Sequence, residues 1–306
     1  MSSIKTQQLS GDLVQRRLAA AGVAIGQSYW QIAWHRFRKH RMAMAGGVVA
    51  LALTIVAILA PWIAPYAFDK INLDNRWAKP NSTHVFGADE LGRDVLTRTM
   101  HAGRISLAVG YIVAINISII GMIIGAVAGF YGGKVDSFLM RLVDILLSVP
   151  TLPLYLILAG MIPGGGVSRI ILIFTVFGWT GVARLVRGQI LSLKTLDFID
   201  AARAMGASEM RIILRHLLPN SMAPVIVAAT LAVGGAILGE SGLSYLGLGI
   251  APPTPSWGNM LQRALEYVWN AYWLAIFPGI FIFITVLSFN FLGDGLRDAL
   301  DPRLKV

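Results

Sequence analysis

The chain has 306 residues, of which 56% are hydrophobic and 14% charged, with a formal net charge of +10 and no cysteine. Soluble domains carry about 25% charged residues, so the composition excludes an ordinary soluble fold, and the lack of cysteine excludes disulfides, thiol catalysis and thiolate metal sites. In a membrane protein the Lys and Arg excess belongs in cytoplasmic loops facing anionic lipid, so we expect membrane lipid as a partner and no nucleic acid.

The first 41 residues are polar and basic, with seven Lys and Arg against one acidic residue. By the positive-inside rule this segment is expected to be cytoplasmic. Trp30, Trp34 and Phe37 recur at helical spacing among basic side chains, which predicts an amphipathic helix lying at the membrane interface. A basic flank without defined structure is the alternative interpretation.

Uncharged runs of the length needed to cross a bilayer, about 20 residues, predict spans at residues 42–68, 105–133, 145–168, 220–239 and 267–293. A further run, residues 170–183, has only 14 uncharged residues. If it did not cross, the six Lys and Arg between residues 184 and 215 would lie outside the cell, against the positive-inside rule. The sequence therefore predicts an all-α membrane protein with six transmembrane helices and with both termini cytoplasmic.

These spans divide the chain into four parts. They are a cytoplasmic N-terminal segment with the amphipathic helix (1–41), a first transmembrane helix with an external segment (42–104), a core transmembrane domain (105–296) and a cytoplasmic tail (297–306). Residues 241–262 hold three prolines and four glycines. Proline and glycine interrupt a helix and leave backbone N–H and C=O groups without partners, and such groups cannot face lipid. We therefore expect an external loop that partly re-enters or packs on the helix ends.

Residues 197–219, between the fourth and fifth spans, form a polar insert rich in small side chains. Helix formers run from Phe198 to Met205, Gly206 can adopt a positive φ and end the helix, and Ser208 can cap the next one. Small side chains allow a partner to approach closely. The pattern therefore predicts a cytoplasmic helix–turn–helix contact site.

This insert resembles the cytoplasmic coupling loop of ATP-binding cassette importer permeases. That family has Glu-Ala-Ala, three residues, Gly, nine residues, then Ile, any residue and Leu-Pro; here Asp200 replaces the Glu and His216 replaces the Ile. The resemblance implies a coupling helix seated in a partner ATPase, with contacts from Asp200, Ala201, Ala202, Arg203, Gly206, Glu209, Leu218 and Pro219.

Two further stretches, residues 86–98 and 290–304, resemble the C-type permease subunits of dipeptide and oligopeptide importers. That subfamily has a similar Gly-Thr-Asp-x-x-Gly-Arg-Asp segment outside the membrane, and Ala88 here replaces the Thr. The first stretch is expected either to close the outer face, with Asp94 and Arg98 as a surface ion pair, or to contact an external binding protein.

Three glycines recur every four residues in the second span, Gly121, Gly125 and Gly129, which is typical of close helix packing; a bend used in gating is the alternative interpretation. Asn116 in the same span is a candidate for an interhelical hydrogen bond or for a ligand contact.

Glu240, at the outer end of the fifth span, is expected either to face the substrate path and meet a peptide's amino end or to bind backbone groups of the external loop. Asp144 is expected to pair with Arg141 at the inner interface.

By resemblance, the chain is a permease subunit in the bacterial cytoplasmic (inner) membrane, forming the path for di- or oligopeptides. The implied partners are a second permease, two cytoplasmic subunits that bind ATP and Mg, and an external, periplasmic solute-binding protein.

Alternatives within the family are import of nickel, glutathione or another small solute. A distant alternative is an ion-coupled secondary transporter, which predicts charged or unwound sites near the membrane midplane; the uncharged middles of four spans argue against it.

The sequence offers no chemistry of its own. It lacks a phosphate-binding loop and a nucleophile or metalloprotease motif, and its five histidines are scattered without metal-ligand spacing. We therefore expect a transport subunit that is not an enzyme and binds no cofactor or metal, with ATP hydrolysis carried out by its partners.

Overall fold

The computed structural model describes residues 29–164 and 166–300, and every regular element in these two ranges is helical. Ten helices carry the fold: α1 (Tyr29–Lys39), α2 (Arg41–Ile63), α3 (Val95–Tyr131), α4 (Gly133–Ser148), α5 (Thr151–Met161), α6 (Val167–Leu193), α7 (Asp197–Ala204), α8 (Leu218–Tyr245), α9 (Trp257–Ala264) and α10 (Trp273–Leu300). The predicted amphipathic helix falls on α1; the N-terminal 28 residues and the tail beyond residue 300 lie outside the described residues.

Five helices are long and apolar enough to span a membrane, and the count is six if the bent pair α4 and α5 forms one span. The predicted third span, residues 145–168, is not one continuous helix. The structure has two helices bent by 85° around Val149 and Pro150. Proline lacks an N–H and disfavours helical geometry in the residue before it, so the helix ends there.

The short fourth run belongs to a much longer helix, because α6 has 27 residues. Its charged residues stay helical since each finds a partner. Arg187 binds Asp136, Arg184 binds Asp144, and Arg169 donates to backbone carbonyls. The expected Asp144–Arg141 pair is therefore replaced by an ion pair between α4 and α6.

Helix α3 lies at the centre of the fold and packs most extensively on α6. The three spaced glycines lie in this contact. A Cβ on Gly121 would stand 2.6 Å from Val182 Cβ, one on Gly125 2.5 Å from the Ala183 carbonyl oxygen, and one on Gly129 2.8 Å from Ile190 Cβ. No side chain fits at these distances, so glycine sets how closely the two backbones approach.

The segment between α2 and α3 folds over buried charges. Asp94 accepts from the Thr97 backbone N–H at 2.7 Å and pairs with His84 at 2.9 Å. Arg98 lies beside Asp89 and donates to the Phe68 carbonyl at 3.2 Å. The expected Asp94–Arg98 surface pair is therefore wrong: both side chains are buried and bind other groups.

We predict that Gly125→Ala destabilises the full chain by about 1–3 kcal/mol, because the added methyl group must push α3 away from the α6 backbone. The measurement is thermal unfolding of the purified chain in detergent. Gly235→Ala in α8 is the matched control: its new Cβ meets no atom within 4 Å, and alanine favours a helix by up to about 1 kcal/mol over glycine. Equal melting temperatures for both variants would contradict the close α3–α6 contact.

Candidate functional site

The 197–219 segment connects the ends of α6 and α8. Three residues separate α6 from α7, and the turn after α7 is made by Gly206 at φ +79°, which is a left-handed conformation that favours glycine. Ser208 then accepts a hydrogen bond from the Arg211 N–H and caps a short helical turn, Glu209–Arg211. A π-helical turn, Ile212–Leu217, leads directly into α8.

One face of the segment is anchored in the helix bundle. Ile199, Ile212 and Leu217 are fully buried or nearly so, and they pack with Val182, Val186 and Ile190 on the inner end of α6. Ala202 is buried on the same side. These contacts pack α7 against α6 and against the turn that leads into α8.

The opposite face is exposed and partly apolar. Met205 and Met210 are 82% and 62% exposed, and Phe198 and Leu214 are also open to solvent. We call these four side chains the contact rim. Asp200, Arg203 and Glu209 are exposed around it, and the Asp200–Arg203 pair, at 3.4 Å, is of the surface type that contributes little stability.

The structure separates the residues predicted for this site. Ala201, Gly206 and Pro219 are exposed, whereas Ala202 faces the protein's own core and Leu218 is half-buried. Sequence reasoning missed the contact rim. Helix periodicity separates Phe198 from Ile199, but it places Ala202 close to Phe198, and an apolar residue gives no sign by itself of whether it faces a partner.

The two side chains predicted for the substrate path form contacts within the protein. Asn116 Nδ2 lies 3.4 Å from Thr175 Oγ1 on α6, which joins α3 to α6. Glu240 is completely buried and accepts from Ser106 Oγ at 3.1 Å and Ser244 Oγ at 2.6 Å. Its partners are hydroxyls rather than the expected backbone groups of the external loop.

The Glu240 cluster connects three helices and the external loop. Ser106 Oγ also accepts from the Trp257 N–H at the start of α9, and Ser244 Oγ accepts from the Ile250 N–H in the loop. The Glu240 cluster therefore holds α3 and α9 to the C-terminal end of α8. Within the part of the chain that the structure describes, no group of three or more metal-ligating side chains comes together.

We predict that Glu240→Ala lowers the free energy of unfolding of the full chain by about 2–4 kcal/mol, and with it the melting temperature. The substitution leaves a cavity and two buried hydroxyls without their acceptor. Glu240→Gln keeps an acceptor and the volume, so its loss should be smaller. Glu266→Ala, at an exposed position, is the control. A Glu240→Ala variant as stable as the parent but without transport would instead place Glu240 in the path.

Comparisons with known proteins converge on one family. Residues 121–306 match the family described as the binding-protein-dependent transport system inner membrane component, and residues 28–80 match the N-terminal TM domain of oligopeptide transport permease C. The chain is 45% identical to the dipeptide transport system permease protein DppC of Bacillus subtilis (strain 168) over 91% of this chain and 87% of the relative. It is 41% identical to OppC, the oligopeptide transport system permease protein of the same organism, over 91% of each chain.

Two other similarities add to this result. GsiD, a glutathione transport system permease protein of Escherichia coli O6:K15:H31 (strain 536), is 43% identical over 90% of this chain and 91% of its own. A solved structure of the MetNI methionine ABC transporter in an inward-facing conformation aligns with a TM-score of 0.53 at 22% identity, covering 64% of this chain and 93% of the other. At that identity the match supports the fold alone.

Proposed function

The chain belongs to the inner-membrane permeases of ABC importers, in the dipeptide and oligopeptide branch, and from this premise we propose that it carries di- or oligopeptides across the bacterial cytoplasmic membrane. The names of the relatives support the cargo class: they transport dipeptides, oligopeptides and glutathione, which is itself a tripeptide. Glutathione or another small peptide is therefore the alternative that the relatives favour.

The proposed assembly contains a second permease, two cytoplasmic ATP-binding subunits and an external solute-binding protein. The 197–219 segment is the contact for one of the ATP-binding subunits. The exposed contact rim supports this assignment, because an apolar patch at the tip of a polar loop is a typical protein-binding surface. Methionine suits such a surface, since its flexible side chain adapts to a partner.

The proposed orientation places both termini and the 197–219 segment in the cytoplasm. Charge supports this orientation: residues 1–41 carry seven Lys and Arg against one acidic residue, and residues 194–215 carry four more Lys and Arg. The buried charge cluster and the external segment then lie on the periplasmic side.

The proposed mechanism follows from how the segment is attached. ATP bound by the partner subunits supplies the free-energy difference between two states of the bundle. When those subunits move, the contact rim moves with them. The buried contacts of Ile199, Ile212 and Leu217 pass the displacement to the inner ends of α6 and α8, which tilt and change the side on which the path is open.

We predict that Met205→Glu weakens association with the ATP-binding subunit at least tenfold, because loss of a buried methionine contact removes about 1.5–3 kcal/mol. Co-purification of the ATP-binding subunit and peptide uptake should both fall. Met205→Leu, which keeps the apolar volume, is the control and should retain both. Unchanged co-purification of the Met205→Glu variant would contradict a role for the contact rim.

A second prediction tests the orientation directly. The chain has no cysteine, so Ala201→Cys creates a single thiol at an exposed site in α7. We expect a membrane-impermeant thiol reagent to label it in inside-out vesicles from cells that lack the ATP-binding subunits, and not in intact spheroplasts. Thr83→Cys, in the external segment, should show the reverse pattern. Labelling of Ala201→Cys from the periplasm would place the segment beyond the reach of a cytoplasmic ATPase and refute the proposed mechanism.

A further inference from the structure

An ion pair between α4 and α6 is exposed at the surface of the chain. Asp144 binds Arg184, and their side chains are 63% and 51% exposed. The neighbouring pair between the same two helices, Asp136–Arg187, is much more enclosed, at 16% and 33%. One pair thus lies inside the helix contact, whereas the other opens onto a surface of the chain.

The depth of Arg184 follows from the length of α6. Arg184 lies ten residues before Lys194 at the inner end and fifteen residues after Arg169 at the outer end, which is about 15 Å and 22 Å along a helix. With a hydrocarbon layer of about 30 Å centred between these two ends, the Arg184 Cα lies about 11 Å inside it. The Arg184 side chain does not reach out to the membrane surface, because its guanidinium is bound to Asp144.

The surrounding surface of α6 is also unusual. Gly181 and Gly188 flank Arg184 at spacings of three and four residues, so all three share one face of the helix. A Cβ on either glycine would meet no atom within 4 Å, unlike the glycines of the α3–α6 contact. This face of α6 is therefore exposed, with the charged Arg184 at its centre and a glycine without a side chain on either side.

An exposed charged pair within the hydrocarbon layer has to face water or protein, since facing lipid costs several kcal/mol. We propose that this face of α6, with Asp144 and Arg184, lines the cytoplasmic half of the peptide path and offers counter-charges to the charged groups of the cargo. The aspartate attracts ammonium groups and the arginine attracts carboxylates, which suits a zwitterionic peptide. The proposal rests on the proposed function and names a cargo contact within it.

The first test measures water access and does not depend on the cargo. In the assembled, nucleotide-free transporter, Gly181→Cys and Gly188→Cys should react with a membrane-impermeant thiol reagent at least ten times faster than Leu51→Cys, an exposed apolar position on α2. Rates equal to that of Leu51→Cys would mean that lipid or the partner permease covers this face, and the proposal would fail. Failure here leaves ATP-dependent uptake by the parent intact, so the proposed function stands separately.

The second test uses the sign of the charge. Arg184→Gln removes the positive charge and leaves the negative charge of Asp144 in the path. The uptake ratio of a Lys-rich over a Glu-rich tripeptide should therefore rise by about threefold or more. Asp144→Asn should shift the same ratio in the opposite direction. Both are measured at saturating, cargo-loaded binding protein, so that selection by the binding protein does not contribute. Asp136→Asn is the matched control, since it breaks the enclosed pair and should leave the ratio unchanged.

A merely structural ion pair gives a different result. Asp144→Asn and Arg184→Gln would then lower uptake of both tripeptides by the same factor, as Asp136→Asn does, and the contact with cargo would be refuted. Should either variant fail to assemble, the double reversal Asp144→Arg with Arg184→Asp keeps the ion pair and the net charge. We expect this variant to assemble and to show an uptake ratio of the Lys-rich over the Glu-rich tripeptide within twofold of the parent. An uptake ratio shifted as far as in the single variants would contradict the proposal.

Discussion

The close contact between α3 and α6 is the constraint on which the rest of the structure depends. In a membrane there is little hydrophobic force between helices, so close packing of small residues has to hold them together. Gly121, Gly125 and Gly129 bring the α6 backbone against α3, and Lys194 Nζ closes the inner end by donating to the Gly129 carbonyl at 2.9 Å. Helix α6 is thereby held against α3, and the 197–219 segment is positioned by the end of α6.

Charge placement follows from the same constraint, because a helix held this firmly brings its charged residues to fixed partners. Two acids on α4 meet two arginines on α6. At the outer end, Arg169 has no carboxylate partner in the described structure and donates to four carbonyls, those of Ala159, Ile162, Leu248 and Gly249, at 2.7–3.2 Å. Each arrangement compensates a charge that would otherwise be costly to keep away from water.

Sequence reasoning succeeded where the signal is local. Long uncharged runs locate α2, α3, α8 and α10, and a glycine at the right spacing predicts the turn at Gly206. It failed where the partner is distant in the chain. The pairing of Asp144 with Arg184 spans forty residues, and the buried role of Asp94 depends on how the external segment folds. The bend near Pro150 was readable, since proline breaks helices, but the apolar run masked it.

The two ends of α8 are held in different ways, and this difference bears on how motion travels. At the outer end, Glu240 and Ser244 fix the helix to α3, α9 and the external loop through hydrogen bonds that require exact geometry between donors and acceptors. At the inner end, Leu217 and its neighbours hold it through apolar contacts, which allow sliding because they have no direction. These apolar anchors lie within the π-helical turn Ile212–Leu217, and the wider hydrogen-bond spacing of such turns is a common feature of functional sites in helices. In the proposed mechanism, the Glu240 cluster would therefore be the fixed end of α8, and the apolar contacts at its other end would take up the displacement.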